Sequence, residues 1–269
     1  MGMPGSETAL EELMCAVLGD LVYGGSVIKL ADDLYCGANT MEGALKAFRD
    51  CLCALEKNGL HLSASKTVVC PAETVVLGWI WKQGTLSASS HRVSALQTVT
   101  PPETVKGLRS FLGACRVLGR VLRRLAEVLA PLDALVGGKE SAERIVWSDD
   151  LLSVFKSVQS ALSHCKTIIL PRPFYKLWIV TDASAVGTAA TLYAKRDGSL
   201  RLAGFYSAKQ DEAKRRWLPC ELEALAISSA LNYFFFKMAS NMASIQASCK
   251  KNGSILKKNK CTIKNNITF

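Results

Sequence analysis

Two adjacent carboxylates, Asp32 and Asp33, stand between the short apolar runs VIKLA and LYCG, a pattern that predicts a tight hairpin turn. Side by side they repel each other unless solvent or a cation offsets the charge. A pair of divalent cations held for in-line phosphoryl transfer is one use of such a pair; two hydrophilic turn residues are the plainer one. A second acidic pair is split in sequence, with Asp182 ending the apolar run Leu177–Val180 and Glu223 one turn into the last helix. A strand-end Asp facing a helix Glu begins the carboxylate nest of a two-metal nuclease, whereas singly each is a solvated residue. Cations cluster between them, with Lys106, Arg109, Arg116, Arg120, Arg123 and Arg124 on the polar faces of one helical stripe. Arginine forks match phosphates, so these residues either track a duplex backbone or form a solvated face. Trp79 and Trp81, at alternate positions of a strand, point the same way and serve packing or stacking.

The elements that position these groups follow from periodicity. Residues 7–22 carry Leu10, Leu13, Met14, Val17, Leu18 and Leu21 at helical spacing, with Ser6 as N-cap. After the hairpin a helix over 41–57 ends at Asn58-Gly59. Strands are expected at Thr67–Cys70 and Val75–Trp81, with Gln83-Gly84 turning the chain. Past Pro101-Pro102, Val105, Leu108, Phe111, Leu112, Cys115, Leu118, Leu122 and Leu125 form one helical stripe. Ser148 then caps a helix through Leu162, three strands follow with the last two joined at Asp197-Gly198, and a helix spans about 219–236.

The 269 residues carry 33 Lys+Arg against 23 Asp+Glu, a net charge of +10, and 49% are hydrophobic, a globular composition. No run of apolar residues is long enough for a membrane span, and the first residues have no secretory pattern, so a cytoplasmic or nuclear protein that is not secreted is expected. Seven lysines and no acid follow residue 236, leaving +3 on the rest of the chain; the stretch 237–269 reads as a basic, disordered tail or a nucleic-acid-binding arm. The ten cysteines form no C-x-x-C pair, which favours reduced, packing thiols.

Taken in order, these segments resemble the pol polyprotein of gypsy-type LTR retrotransposons and, more distantly, retroviral reverse transcriptases. MPGSETALEELM is similar to a palm helix, LADDLYCG to the polymerase YADD signature, and NGLHLSASKTVVC to the segment bearing the palm lysine. VLGWIW resembles a primer grip, and PPETVKGLRSFLGACRVLGRVL the helical LRSFLG segment. IVWSDDLLSVFKSVQSAL, LPRPFYKLWIVTDAS and CELEALAIS resemble the ribonuclease H-like domain.

The resemblance implies an α+β fold: a partial reverse-transcriptase palm over 1–100, a helical thumb or connection over 101–144, and an incomplete ribonuclease H-like domain over 145–236. It implies RNA-directed DNA synthesis with RNA·DNA hybrid cleavage, using magnesium, or manganese in its place. Asp32 and Asp33 would hold metal at the polymerase side and Asp182 and Glu223 at the nuclease side, with Lys66 neutralising the leaving pyrophosphate. Lys106, Arg109, Arg116, Arg120, Arg123 and Trp79 would contact nucleic acid. The family's third palm carboxylate lies upstream of the MPGS helix, and two nuclease aspartates follow the helix glutamate; this sequence contains none of them. A chain truncated at both ends and inactive in isolation is therefore expected, with the remainder of a pol polyprotein as its partner. The alternative is a non-catalytic nucleic-acid-binding or domesticated interaction module.

Overall fold

A computed structural model describes residues 5–30, 32–38, 40–172 and 175–247. The chain divides into two compact units, the first over Met1–Val69 together with Phe235–Cys261 and the second over Cys70–Phe234 together with Thr262–Phe269. Pro101 and Pro102 fall inside the second unit, where the Trp147 indole N–H donates to the Pro102 carbonyl at 2.9 Å.

In the first unit, α1 (Ser6–Tyr23) precedes the hairpin of β1 (Val27–Leu30) and β2 (Asp33–Cys36), followed by α2 (Met41–Lys57). The helix α1 opens at Ser6 itself, after a left-handed Gly5, so Ser6 is not its cap. The antiparallel register pairs Val27 with Cys36 and Leu30 with Asp33, which leaves Asp32 at the turn. Helix α2 starts on Thr40, whose hydroxyl accepts from the Gly43 N–H at 3.1 Å. It ends as Asn58-Gly59 predicts: Gly59 takes φ +68°, and the Leu60 N–H returns to the Leu55 carbonyl at 2.9 Å. Met14, Leu18, Val27, Cys51 and Leu55 form the buried centre.

The second unit opens with β3 (Thr74–Val76), β4 (Trp79–Lys82) and β5 (Thr85–Ala88), an antiparallel meander that β6 (Ile168–Ile169) completes at the β5 edge. The single strand expected over Val75–Trp81 is two strands. Leu77-Gly78 folds back with φ +48° and +73°, a turn that suits a hairpin's twist and needs glycine at its second position. Thr67–Cys70 is not a strand; a 3-10 turn over Ala64–Lys66 precedes it. Helix α3 (Ser90–Gln97) follows β5, capped by the Ser89 hydroxyl.

The stripe beyond residue 104 does not form one helix. Helix α4 (Val105–Val117) tightens to a 3-10 turn over Leu118–Arg120, and α5 (Leu125–Val136) starts anew after Arg124, which is left-handed at φ +52°. Leu118, Val121, Leu122 and Leu125 are all buried. Their i, i+3, i+4, i+7 spacing is that of a continuous amphipathic helix, so the pattern holds across the bend without revealing it. Helix α6 (Asp149–Leu162), capped by Ser148, adds Phe155, Val158 and Leu162 to this core. At the head of α4 the Thr104 hydroxyl accepts from the Gly107 N–H at 3.2 Å. Thr104→Ala is expected to lower unfolding stability by about 1 kcal/mol, as read from urea titrations.

The last sheet holds β7 (Leu177–Ala183), β8 (Gly187–Arg196) and β9 (Ser199–Lys209), antiparallel and in chain order, with Asp197-Gly198 as the expected turn. Helix α7 (Pro219–Ala247) buries Leu222, Ala226, Ala230 and Phe234. It continues well past Phe236, so the backbone of residues 237–247 is helical and not a disordered tail. The remainder of the basic stretch lies outside the described residues.

Candidate functional site

In the first unit Asp32 and Asp33 are both exposed at the tip of the hairpin. The Tyr35 hydroxyl lies 3.5 Å from Asp33 Oδ2; burial first, and the Asp33 charge second, push the Tyr35 phenol up. The hairpin is tied to α1 by an ion pair between Lys29 and Glu11. Lys66 is exposed and ends the 3-10 turn that follows α2.

In the second unit the two acids predicted to converge have different surroundings. Asp182 pairs across the sheet with Ala189, and Ala189 with Ser207, whose hydroxyl accepts from the Ala126 N–H at the start of α5 at 3.0 Å. Asp182 therefore belongs to the sheet face toward α5. Helix α7 covers the alternate face, where the Tyr206 and Tyr233 rings lie 4.8 Å apart. The Asp182 carboxylate is taken by the Arg124 guanidinium, which also approaches Glu127 at 3.9 Å. Arg124 reaches it because its left-handed backbone breaks the chain out of the preceding helical turn. Glu223 is exposed one turn into α7 and has no hydrogen-bond or ionic partner among the described residues.

The cations also separate into classes. Arg109 donates to the Val136 and Lys139 carbonyls and the Ser141 hydroxyl, closing the end of α5. Arg116 pairs with Asp133 on α5. Arg120 is half-buried, with its Cγ 3.7 Å from where a Cβ on Gly204 would stand, and burial holds its guanidinium below the usual value. The Trp79 ring is half-buried against the core and capped by Arg92, 5.6 Å from its centroid. Only Lys106 and Arg123 of the predicted set are exposed cations with neither an ion pair nor a side-chain hydrogen bond among the described residues.

Arg123 lines a cleft of about 530 Å³ between α5, α6 and the sheet face bearing Val180, Thr191 and Tyr193. His164 and Lys166 line it too, and no carboxylate does. Both were missed from sequence, because the stretch between α6 and β6 has no periodicity to place it. Magnesium or manganese at either acidic pair needs further oxygen donors. Among the described residues no three His, Cys, Asp or Glu side chains gather, and at Asp182 a guanidinium stands where a cation would bind. The residues present do not fit such an ion in this arrangement.

Comparison with known proteins assigns the relationship. Residues 147–246 match the model of the RNase H-like domain found in reverse transcriptase. The chain is 27% identical over 206 residues to the Pol polyprotein of feline endogenous virus ECE1, covering 77% of this chain and 19% of that protein. It is 25% identical over 212 residues to the retrovirus-related Pol polyprotein from transposon opus of Drosophila melanogaster, covering 75% of this chain and 21% of that one. The chain thus spans about a fifth of the length of these relatives. The fold is similar to that of the foamy viral protease-reverse transcriptase in complex with RNA/DNA hybrid, with a TM-score of 0.68, 19% identity, and coverage of 92% of this chain and 32% of that one. The protein is related to the reverse transcriptase–ribonuclease H region of retroviral and transposon Pol polyproteins. Among the described residues no helix is long and apolar enough to cross a membrane.

Proposed function

We propose that this chain is a segment of the reverse transcriptase–ribonuclease H region of a gypsy-type retrotransposon Pol polyprotein, acting in the cytoplasm or nucleus, which holds duplex nucleic acid without turning it over by itself. The observation that carries the silent part of this reading is the engagement of Asp182 by Arg124, with no third acid beside it. A carboxylate neutralised by a guanidinium is a poor anchor for a divalent ion. Asp32, Asp33 and Lys66 belong to the polymerase side of this reading, and Asp182 and Glu223 to the nuclease side. Each group needs carboxylates from outside the described residues to work. The binding part rests on the acid-free cleft around Arg123 and Lys166 and on Lys106, whose charges are available for phosphates.

The test is a gel of a labelled RNA·DNA primer–template incubated with the purified chain, nucleotides and magnesium or manganese, beside Asp33→Ala and Glu223→Ala variants. Neither extension nor cleavage is expected above the no-protein lane. Product that disappears in either variant overturns the silent reading. No retarded band at low salt overturns the binding one.

A further inference from the structure

We propose that Cys36 and Cys51 form a reversible intramolecular disulfide, making this pair an oxidation site that fastens α2 to the strand following the Asp32–Asp33 turn. The sequence scatters its cysteines, and nothing in their spacing links these two. The fold does. Cys36 ends β2 and pairs across the hairpin with Val27, while Cys51 lies with Ala47 and Leu55 on the buried stripe of α2. Cys51 lies in the buried centre of one apolar cluster, and Cys36 packs against that same cluster.

Their unequal burial assigns the roles. Cys51 is only 1% exposed, whereas Cys36 is half-buried and reachable from solvent. The Cys51 thiol lowers the Cys36 pKa, and the Cys36 thiol together with burial raises that of Cys51. Cys36 is therefore the nucleophile and Cys51 the resolving thiol. The other thiols provide a contrast: burial pushes Cys115 up to about 12 and also raises Cys165, and Cys53 is exposed although only two residues from Cys51.

With hydrogen peroxide as oxidant, the Cys36 thiolate attacks one peroxide oxygen. The O–O bond breaks, hydroxide leaves and takes a proton to become water, and Cys36 becomes a sulfenic acid. The Cys51 sulfur then displaces the sulfenic hydroxyl, which departs as water with the Cys51 proton. Each sulfur has lost one electron and the peroxide has gained two. A dithiol reductant reverses the result by exchange.

The experiment uses the full chain, reduced, treated briefly with hydrogen peroxide, blocked with N-ethylmaleimide and mapped by mass spectrometry after proteolysis. The expected result is a linked peptide pair containing Cys36 and Cys51, absent after dithiothreitol. Cys36→Ser should abolish the link and leave Cys51 alkylated once the chain is unfolded, while Cys53→Ser should leave it intact. Circular dichroism of the variants checks that each is folded, and the wild-type map decides the matter even where one is not. Cys36 recovered as a sulfinic or sulfonic acid with Cys51 still a free thiol overturns the proposal. So does either cysteine linked to a different partner, or both unchanged while Cys53 is oxidised.

Discussion

Phe155→Ala is expected to cost the second unit about 3–5 kcal/mol of unfolding free energy. Phe155 is 1% exposed on the inner side of α6, with its ring centroid 4.7 Å from that of Phe111 on α4 and 5.4 Å from that of Trp147. Truncation removes the transfer energy of a whole ring and leaves a cavity whose walls belong to two helices and a segment tied back to Pro102. Those walls cannot collapse cheaply, because Leu108, Leu112, Leu129 and Leu132 around them are already fully buried. Domains of this size are stable by only about 5–15 kcal/mol, so the variant should unfold at much lower urea, with Trp147 fluorescence reporting the change. Val117→Ala on the same core's outer surface, at a site 50% exposed, should move the midpoint hardly at all.

Binding to an RNA·DNA duplex is expected to weaken about 12-fold between 50 and 200 mM salt if Arg123 and Lys166 each neutralise one phosphate, since the logarithmic slope is about −0.9 per phosphate. Both side chains line one cleft, neither has an ionic partner among the described residues, and no acid shares the lining. Replacing both by alanine should flatten the slope by about 2, as read from fluorescence-anisotropy titrations at several salt concentrations. Arg116→Ala should leave the slope almost unchanged, because its charge is already engaged by Asp133. A slope that flattens equally in both cases would place the contacts elsewhere.

The local part of this fold could be read from sequence. The Asp32–Asp33 hairpin, the Asn58-Gly59 stop, the Ser148 cap and the Asp197-Gly198 turn each depend on a few neighbouring residues, and each appears where expected. The break at Leu77-Gly78 was not legible, because it asks a leucine to adopt a left-handed backbone that its side chain disfavours. The bend after α4 was hidden for a related reason: apolar residues at 118, 121, 122 and 125 continue a helical pattern whether or not the axis turns. At the candidate site, residue types were readable but pairings were not. Arg124 and Asp182 lie far apart in sequence, and their ion pair arises from how α5 meets the last sheet. Charge counts alone likewise could not separate Arg109 and Arg116, committed to the fold, from Arg123.

The outer strand β7 pairs with β8 along one side only, and its other side has no strand beside it among the described residues. Trp178 and Val180 on that strand are 48% and 59% exposed, with Lys176 over the indole at 5.2 Å. A row of unpaired peptide groups flanked by apolar side chains templates further strands, and a single lysine at one end is a modest guard. Purified protein should therefore lose solubility with rising concentration by edge-to-edge sheet growth. A charged residue in place of Val180 would be the simplest way to keep it monomeric long enough for solution measurements.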